Sequence, residues 1–201
     1  MANNQYEVPN GTHSAEIEVK KSRFIAWAFH AESRDKAMQY LAECKTQYPD
    51  ARHHCWAYLI GDPRQPITAA MSDDGEPSGT AGKPILNVLQ HKNVGDIMLV
   101  VVRYFGGIKL GAGGLVRAYS GAAQNVMSEL PTKTHVALTE YLVEGNFDLE
   151  QSLRHWLESN SGTVVDVEYS SSVVLRVALP SENKNALRDY LINTSGRLLE
   201  N

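Results

Sequence analysis

Ile97 to Arg103 reads IMLVVVR, an apolar run closed by an arginine, and YFGGIKLGAGG follows at once. A strand this continuously apolar has no side to show to water, so it belongs in the middle of a sheet covered on both faces. Helices are therefore needed above and below that sheet. One follows directly: Leu115 to Leu130 has helical periodicity, small residues at Ala118, Gly121, Ala122 and Ala123 for close packing, and Pro131 as its stop.

Upstream, residues 17–29 (IEVKKSRFIAWAF) read as a strand with a bend at Lys20 to Arg23. Ser33 can cap a helix carrying Ala37, Leu41, Cys44 and Tyr48 until Pro49. Cys55 to Ile60 is a short strand, a further short strand lies near Ile67 to Met71, and Pro84 sits in the first turn of a helix with Ile85, Leu86 and Leu89.

A linker over Pro131 to Val136 separates this first domain (1–131) from a second (137–201), where the pattern changes. Leu138 to Phe147 is a strand, and Asp148 with Gln151 offers a cap for a helix bearing Leu149, Leu153, Trp156 and Leu157. Two strands follow, Thr163 to Tyr169 and Val173 to Leu179. Ser181 caps a last helix, Gly196 closes it, and Arg197 to Glu200 is a short final strand. The order βαββαβ is that of the ferredoxin-like fold, so the chain is α+β.

The net charge of −4 comes from the second domain: there are 13 Lys+Arg against 13 Asp+Glu up to Pro131 and 6 against 10 beyond it. A wholly basic nucleic-acid coat is excluded, and any RNA contact has to use a local cationic patch. The residues before Lys20 form no apolar export segment, and Ile97 to Val102 is far too short to cross a bilayer, so neither membrane nor export is expected. Cys44 and Cys55 lack C-x-x-C spacing and read as reduced thiols, which points to the cytoplasm.

Two loops carry the chemistry. In the first, Arg103 to Tyr119 (RYFGGIKLGAGGLVRAY), glycines allow close backbone approach and the first amides of the helix attract an anion, with Arg103, Lys109 and Arg117 adding charge. The alternative is a tight connection packed on its own domain. The spacing matches neither a phosphate loop of the G-x-x-x-x-G-K-[ST] type nor G-x-G-x-x-G. In the second, Ser72 to Pro84 (SDDGEPSGTAGKP), Asp73, Asp74 and Glu76 stand among glycines and prolines. They read as a rigid turn, as part of a functional surface, or as oxygen donors for a cation or acid–base pair. His53 and His54 open a strand, so the two rings face opposite ways. Tyr104, Phe105 and Tyr119 can stack on bases or pack beside the sheet.

The segments KKSRF (Lys20 to Phe24), ARHHCWAY (Ala51 to Tyr58), SDDGEPSGTAGKP and RYFGGIKLGAGGLVRAY, in this order, closely resemble the YigZ/IMPACT family. The resemblance implies a ribosomal-protein-like βαβ first domain, similar to domain IV of elongation factor G, and a ferredoxin-like second domain like the C-terminal domain of that factor. It also implies a translation-associated regulatory or binding protein, meeting RNA, the ribosome or a translation factor. No catalytic residue, cofactor or metal is assigned. The eukaryotic members carry a further N-terminal domain for their regulatory role, which this sequence does not show.

By resemblance the candidate binding residues are Arg52, His53, Asp73, Asp74, Glu76, Thr80, Arg103, Tyr104, Gly106, Gly107, Gly111, Gly113, Gly114, Arg117 and Tyr119, with Lys83 and Lys109 as added cations. The two loops are expected to meet, the carboxylates pairing with Arg103 or Arg117. The competing function is an enzyme or sensor that takes a small phosphorylated or anionic metabolite between them.

Overall fold

The computed structural model describes residues 5–199 and divides the chain into two compact units, one of residues 6–135 and one from residue 136 onward.

In the first unit the elements run β1 (Gln5–Pro9), β2 (His13–Val19), β3 (Ser22–His30), α1 (Arg34–Gln47), β4 (His53–Ile60), β5 (Thr68–Ser72), α2 (Gly82–Lys92), β6 (Ile97–Tyr104), α3 (Gly111–Glu129) and β7 (Thr132–Val136). The main sheet has the order β2-β3-β6-β4-β5 and every neighbouring pair is antiparallel. β6 is its central strand. Ile97, Leu99 and Val101 are buried toward α2 and α3, and Met98, Val100 and Val102 toward α1, so the period of two serves two cores. Burial on both faces thus holds in an antiparallel sheet, because helices from both sides of the sequence cover it.

Three local expectations are revised. Residues 17–29 are not one bent strand but the hairpin β2–β3, whose two-residue turn puts Lys20 at φ 46 and Lys21 at φ 64. Positive φ at both central residues matches the right-handed twist of the strands, and the pairing of Val19 with Ser22 enforces it on lysines that do not advertise a turn. α3 begins at Gly111, four residues before Leu115, so Gly113 and Gly114 belong to its first turn. Thr132–Val136, read as linker, pairs with β1. Ser33 caps α1 as expected, its Oγ accepting from the Lys36 N–H at 3.2 Å.

The second unit contains β8 (Leu138–Gly145), α4 (Leu149–Ser159), β9 (Thr163–Tyr169), β10 (Val173–Pro180), a 3-10 turn (Ser181–Asn183), α5 (Lys184–Asn193) and β11 (Arg197–Leu199). The order β11-β8-β10-β9 with antiparallel pairs is the ferredoxin-like arrangement. Val143, Leu153, Leu157, Leu175, Val177, Leu187 and Leu191 form its core. Asp148 is helical at φ −71 and makes no capping bond, and the left-handed residue after α5 is Ser195 (φ 57), not Gly196. Gly196 is required by space instead: a Cβ there would lie 2.7 Å from Leu191 Cδ2. Among the described residues no helix is long and apolar enough to cross a membrane.

Candidate functional site

β6 ends beside the starts of β3 and β4: Arg103 is level with Phe24 and with His53. A cleft of about 670 Å³ opens there, lined by Arg52, His53, Arg103, Tyr104, Phe105, Lys109 and Gly111, with Asp50, Glu76, Pro77, Leu110, Ala112 and Leu115 completing the wall.

The acidic loop forms one side, and its three carboxylates are all bound to the protein itself. Asp73 accepts from the N–H groups of Gly79 (2.8 Å), Ala81 (3.0 Å) and Gly82 (2.8 Å), so it caps α2 from a distance; Ala81 at the cap position has no side-chain oxygen to offer. Burial works to raise the Asp73 pKa, but these three donors outweigh it and hold the carboxyl below the usual range. Asp74 Oδ2 accepts from the His54 N–H at 2.7 Å, and its carbonyl accepts from His53 Nδ1 at 2.8 Å, which ties the loop to β4. Burial lowers the His54 pKa, so that ring is neutral at pH 7 and its 3.9 Å approach to Asp74 is not an ion pair there.

Glu76 is the buried member. Its Oε1 accepts from Arg103 Nη1 at 2.6 Å and from the Tyr119 hydroxyl at 2.7 Å. Tyr119 is fully buried, edge-on to Phe24 at 5.2 Å, with Cys55 Sγ 3.4 Å from its oxygen. Burial drives the phenol pKa far above its ordinary value. Arg103, 7% exposed, also lies over the rings of Phe24 (5.6 Å) and Phe105 (5.7 Å), and its buried Nε meets no acceptor among the described residues. The two loops therefore meet through Glu76 and Arg103. With these oxygens taken up by protein donors, the cation reading of the loop has no donor set: no group of three or more His, Cys, Asp or Glu is gathered for a metal among the described residues.

The glycine stretch divides by role. Gly106 is a contact point, since a Cβ there would stand 2.0 Å from the Lys21 carbonyl carbon, and its N–H donates to Ser22 Oγ at 3.1 Å. Gly107 (φ 84) and Gly111 (φ 72) supply left-handed turns with open space around them. No side chain caps α3 at Leu110, and Gly111 and Ala112 bring the start of that helix to the cleft.

Several expected residues lie elsewhere. Tyr119 and Thr80 are buried and do not reach the cleft; the Thr80 hydroxyl donates to the Pro77 carbonyl at 2.6 Å. Asp73 and Asp74 act on backbone amides. Lys83 is exposed in the first turn of α2, and Arg117 is exposed on α3 beside Gly113, with no carboxylate partner. Gly106, Gly107, Gly113 and Gly114 shape the approach without lining the cleft. Of the three aromatics, Tyr119 is packed, Tyr104 is half-buried beneath Arg23 at 5.6 Å, and Phe105 is 55% exposed. Asp50 and Pro77 carry no sequence signal of their own; the chain path alone brings them in.

The sequence matches the Impact N-terminal domain over residues 20–127 and a domain of unknown function, DUF1949, over residues 143–197. It is 42% identical over 164 residues to the IMPACT family member YigZ of Escherichia coli K12, spanning 82% of this chain and 80% of that one. The IMPACT family member YvyE of Bacillus subtilis 168 is 33% identical, over 90% of this chain and 83% of its own. A crystal structure of a hypothetical protein at 36% identity covers 98% of both chains with a TM-score of 0.80. Both units are matched, in order and nearly end to end, and the chain belongs to the IMPACT family.

Proposed function

We propose that this protein is a translation-associated regulatory protein of the cytoplasm, whose first unit contacts RNA, the ribosome or a translation factor at the cleft beside β6. Family membership supports the translation setting. One observation carries the placement: exposed Arg52 and Lys109 flank the uncapped start of α3 in a cleft whose floor is a neutralised Glu76–Arg103 pair. Neither cation has a carboxylate partner, so both are open to phosphate, and the helix amides favour the same charge. Asp50 opposes them with a single charge.

The test is sedimentation with ribosomes and gel shift with RNA over a salt series, comparing the wild type with Arg52→Ala/Lys109→Ala. The expected result is association at low salt that weakens on raising salt and is lost first by the variant. Association with no RNA, ribosome or translation factor at low salt would refute the reading.

The dimensions of the cleft favour a second reading, since about 670 Å³ also suits a small phosphorylated or anionic metabolite. A ligand at 100 times its dissociation constant stabilises its protein by about 2.7 kcal/mol, which thermal-shift screening with nucleotides and sugar phosphates detects.

A further inference from the structure

Gly106 joins the cleft to a part of the molecule that its lining does not include. The absence of a side chain lets its backbone rest on Lys21 and Ser22, and its N–H bonds to Ser22 Oγ, so the β2–β3 turn is fixed against the segment that follows Phe105. That turn consists of two lysines, both at positive φ, where Asn-Gly is the preferred pair. Adjacent like charges in a strained conformation are unfavourable for folding, and strain of this kind collects at functional positions. Both lysines are exposed and meet no carboxylate, whereas Arg23, the next cation in the chain, is held by Glu16 at 2.6 and 3.0 Å.

From this juxtaposition we propose that the β2–β3 turn extends the cleft into a track for single-stranded RNA, Lys20 and Lys21 holding phosphates beyond those held by Arg52 and Lys109, and Phe105 stacking a base. Phe105 stands directly before Gly106, is 55% exposed, and is backed by the Arg103 guanidinium at 5.7 Å. A stacking ring can take an unpaired base but not one enclosed in a duplex, which makes the occupant a single strand. The proposal rests on the function proposed above and names the partner of that same site.

The full chain is titrated with a short single-stranded oligouridylate and with duplex RNA between about 50 and 200 mM salt. Four phosphate contacts give a slope of log K against log salt near −3, at roughly −0.7 per contact on a single strand. Lys20→Asn/Lys21→Asn, which keeps residues tolerant of positive φ, is expected to halve the slope, and Lys20→Arg/Lys21→Arg to preserve it. Phe105→Ala weakens binding by about tenfold. A slope unchanged in the asparagine variant, or duplex bound as tightly as the single strand, overturns the track. If RNA or ribosome association survives in those cases, the function proposed above stands; if the wild type binds no RNA, ribosome or translation factor at low salt, both fall.

Discussion

Arg103 at the end of β6 and Glu76 in the loop before α2 are 27 positions apart and meet at 2.6 Å, both side chains more than nine-tenths buried. The pair joins the acidic loop to the central strand, and Tyr119 adds α3 through the same carboxylate oxygen. Burial of two charges is unfavourable by itself; their attraction, the second hydrogen bond and two flanking rings offset it. What the pair contributes is position: it fixes the loop, the strand end and the helix that together bound the cleft.

Glu76→Gln keeps the size of the side chain and removes its charge, leaving Arg103 buried without a counter-ion. The expected loss is on the order of 3 kcal/mol in urea unfolding. A double-mutant cycle with Arg103→Met should recover part of it, since the orphaned charge then disappears too. Additive, small effects at both positions would show that the pair does not hold the loop.

Gly106→Ala places a Cβ 2.0 Å from the Lys21 carbonyl carbon, a backbone atom that cannot rotate away. A destabilisation of about 1–3 kcal/mol is expected from the overpacking, read as a lower urea midpoint. Gly107→Ala meets no neighbour but must hold φ 84, so only about 1 kcal/mol is lost there. Equal losses at the two sites would contradict the packing described for the β2–β3 turn.

Asp73→Ala removes the remote cap of α2 and should lower stability by roughly 1–2 kcal/mol at neutral pH. The folded-state pKa of Asp73 is depressed below its model value of 3.8, so its contribution is complete above that value and is lost as pH falls through the folded one. The gap between wild type and variant therefore closes only in acid, below about pH 3.8. Denaturation curves from neutral to acidic pH measure it, and a gap independent of pH would exclude the carboxylate as its source.

Burial pushes the thiols of Cys44 and Cys55 each up to about 12. Neither is a nucleophile at pH 8, because the reactive thiolate is scarce and enclosed. A thiol reagent should label neither cysteine in the native protein and both after unfolding in denaturant. Rapid native labelling of Cys55 would show that the Tyr119 network opens.

The acidic loop is the case where composition misleads. Three carboxylates in five positions look like a cation site, yet each is taken by donors from a different place: amides at the start of α2, the His54 amide, and Arg103 with Tyr119. Asp73 binds amides up to nine residues ahead, whereas Glu76 binds partners 27 and 43 positions away. Nothing in the spacing distinguishes Arg103 from Arg117 as the partner, because both follow the same strand. The register of β6 with β4 decides it by turning Arg103 inward, while Arg117 lies on the outer side of α3.

What the sequence by itself determined is whatever follows from local periodicity and turn chemistry. The apolar run of β6 has to be central, the helix of small residues has to lie close, and the βαββαβ order has to build a ferredoxin-like unit. The hairpin at Lys20 and Lys21, the burial of Tyr119, the arrival of Phe105 at an open cleft and the choice of Arg103 were decided only by tertiary structure. Each depends on which distant segment comes to lie alongside, and side-chain pairing across that distance is set by packing and strand register, which no local pattern encodes.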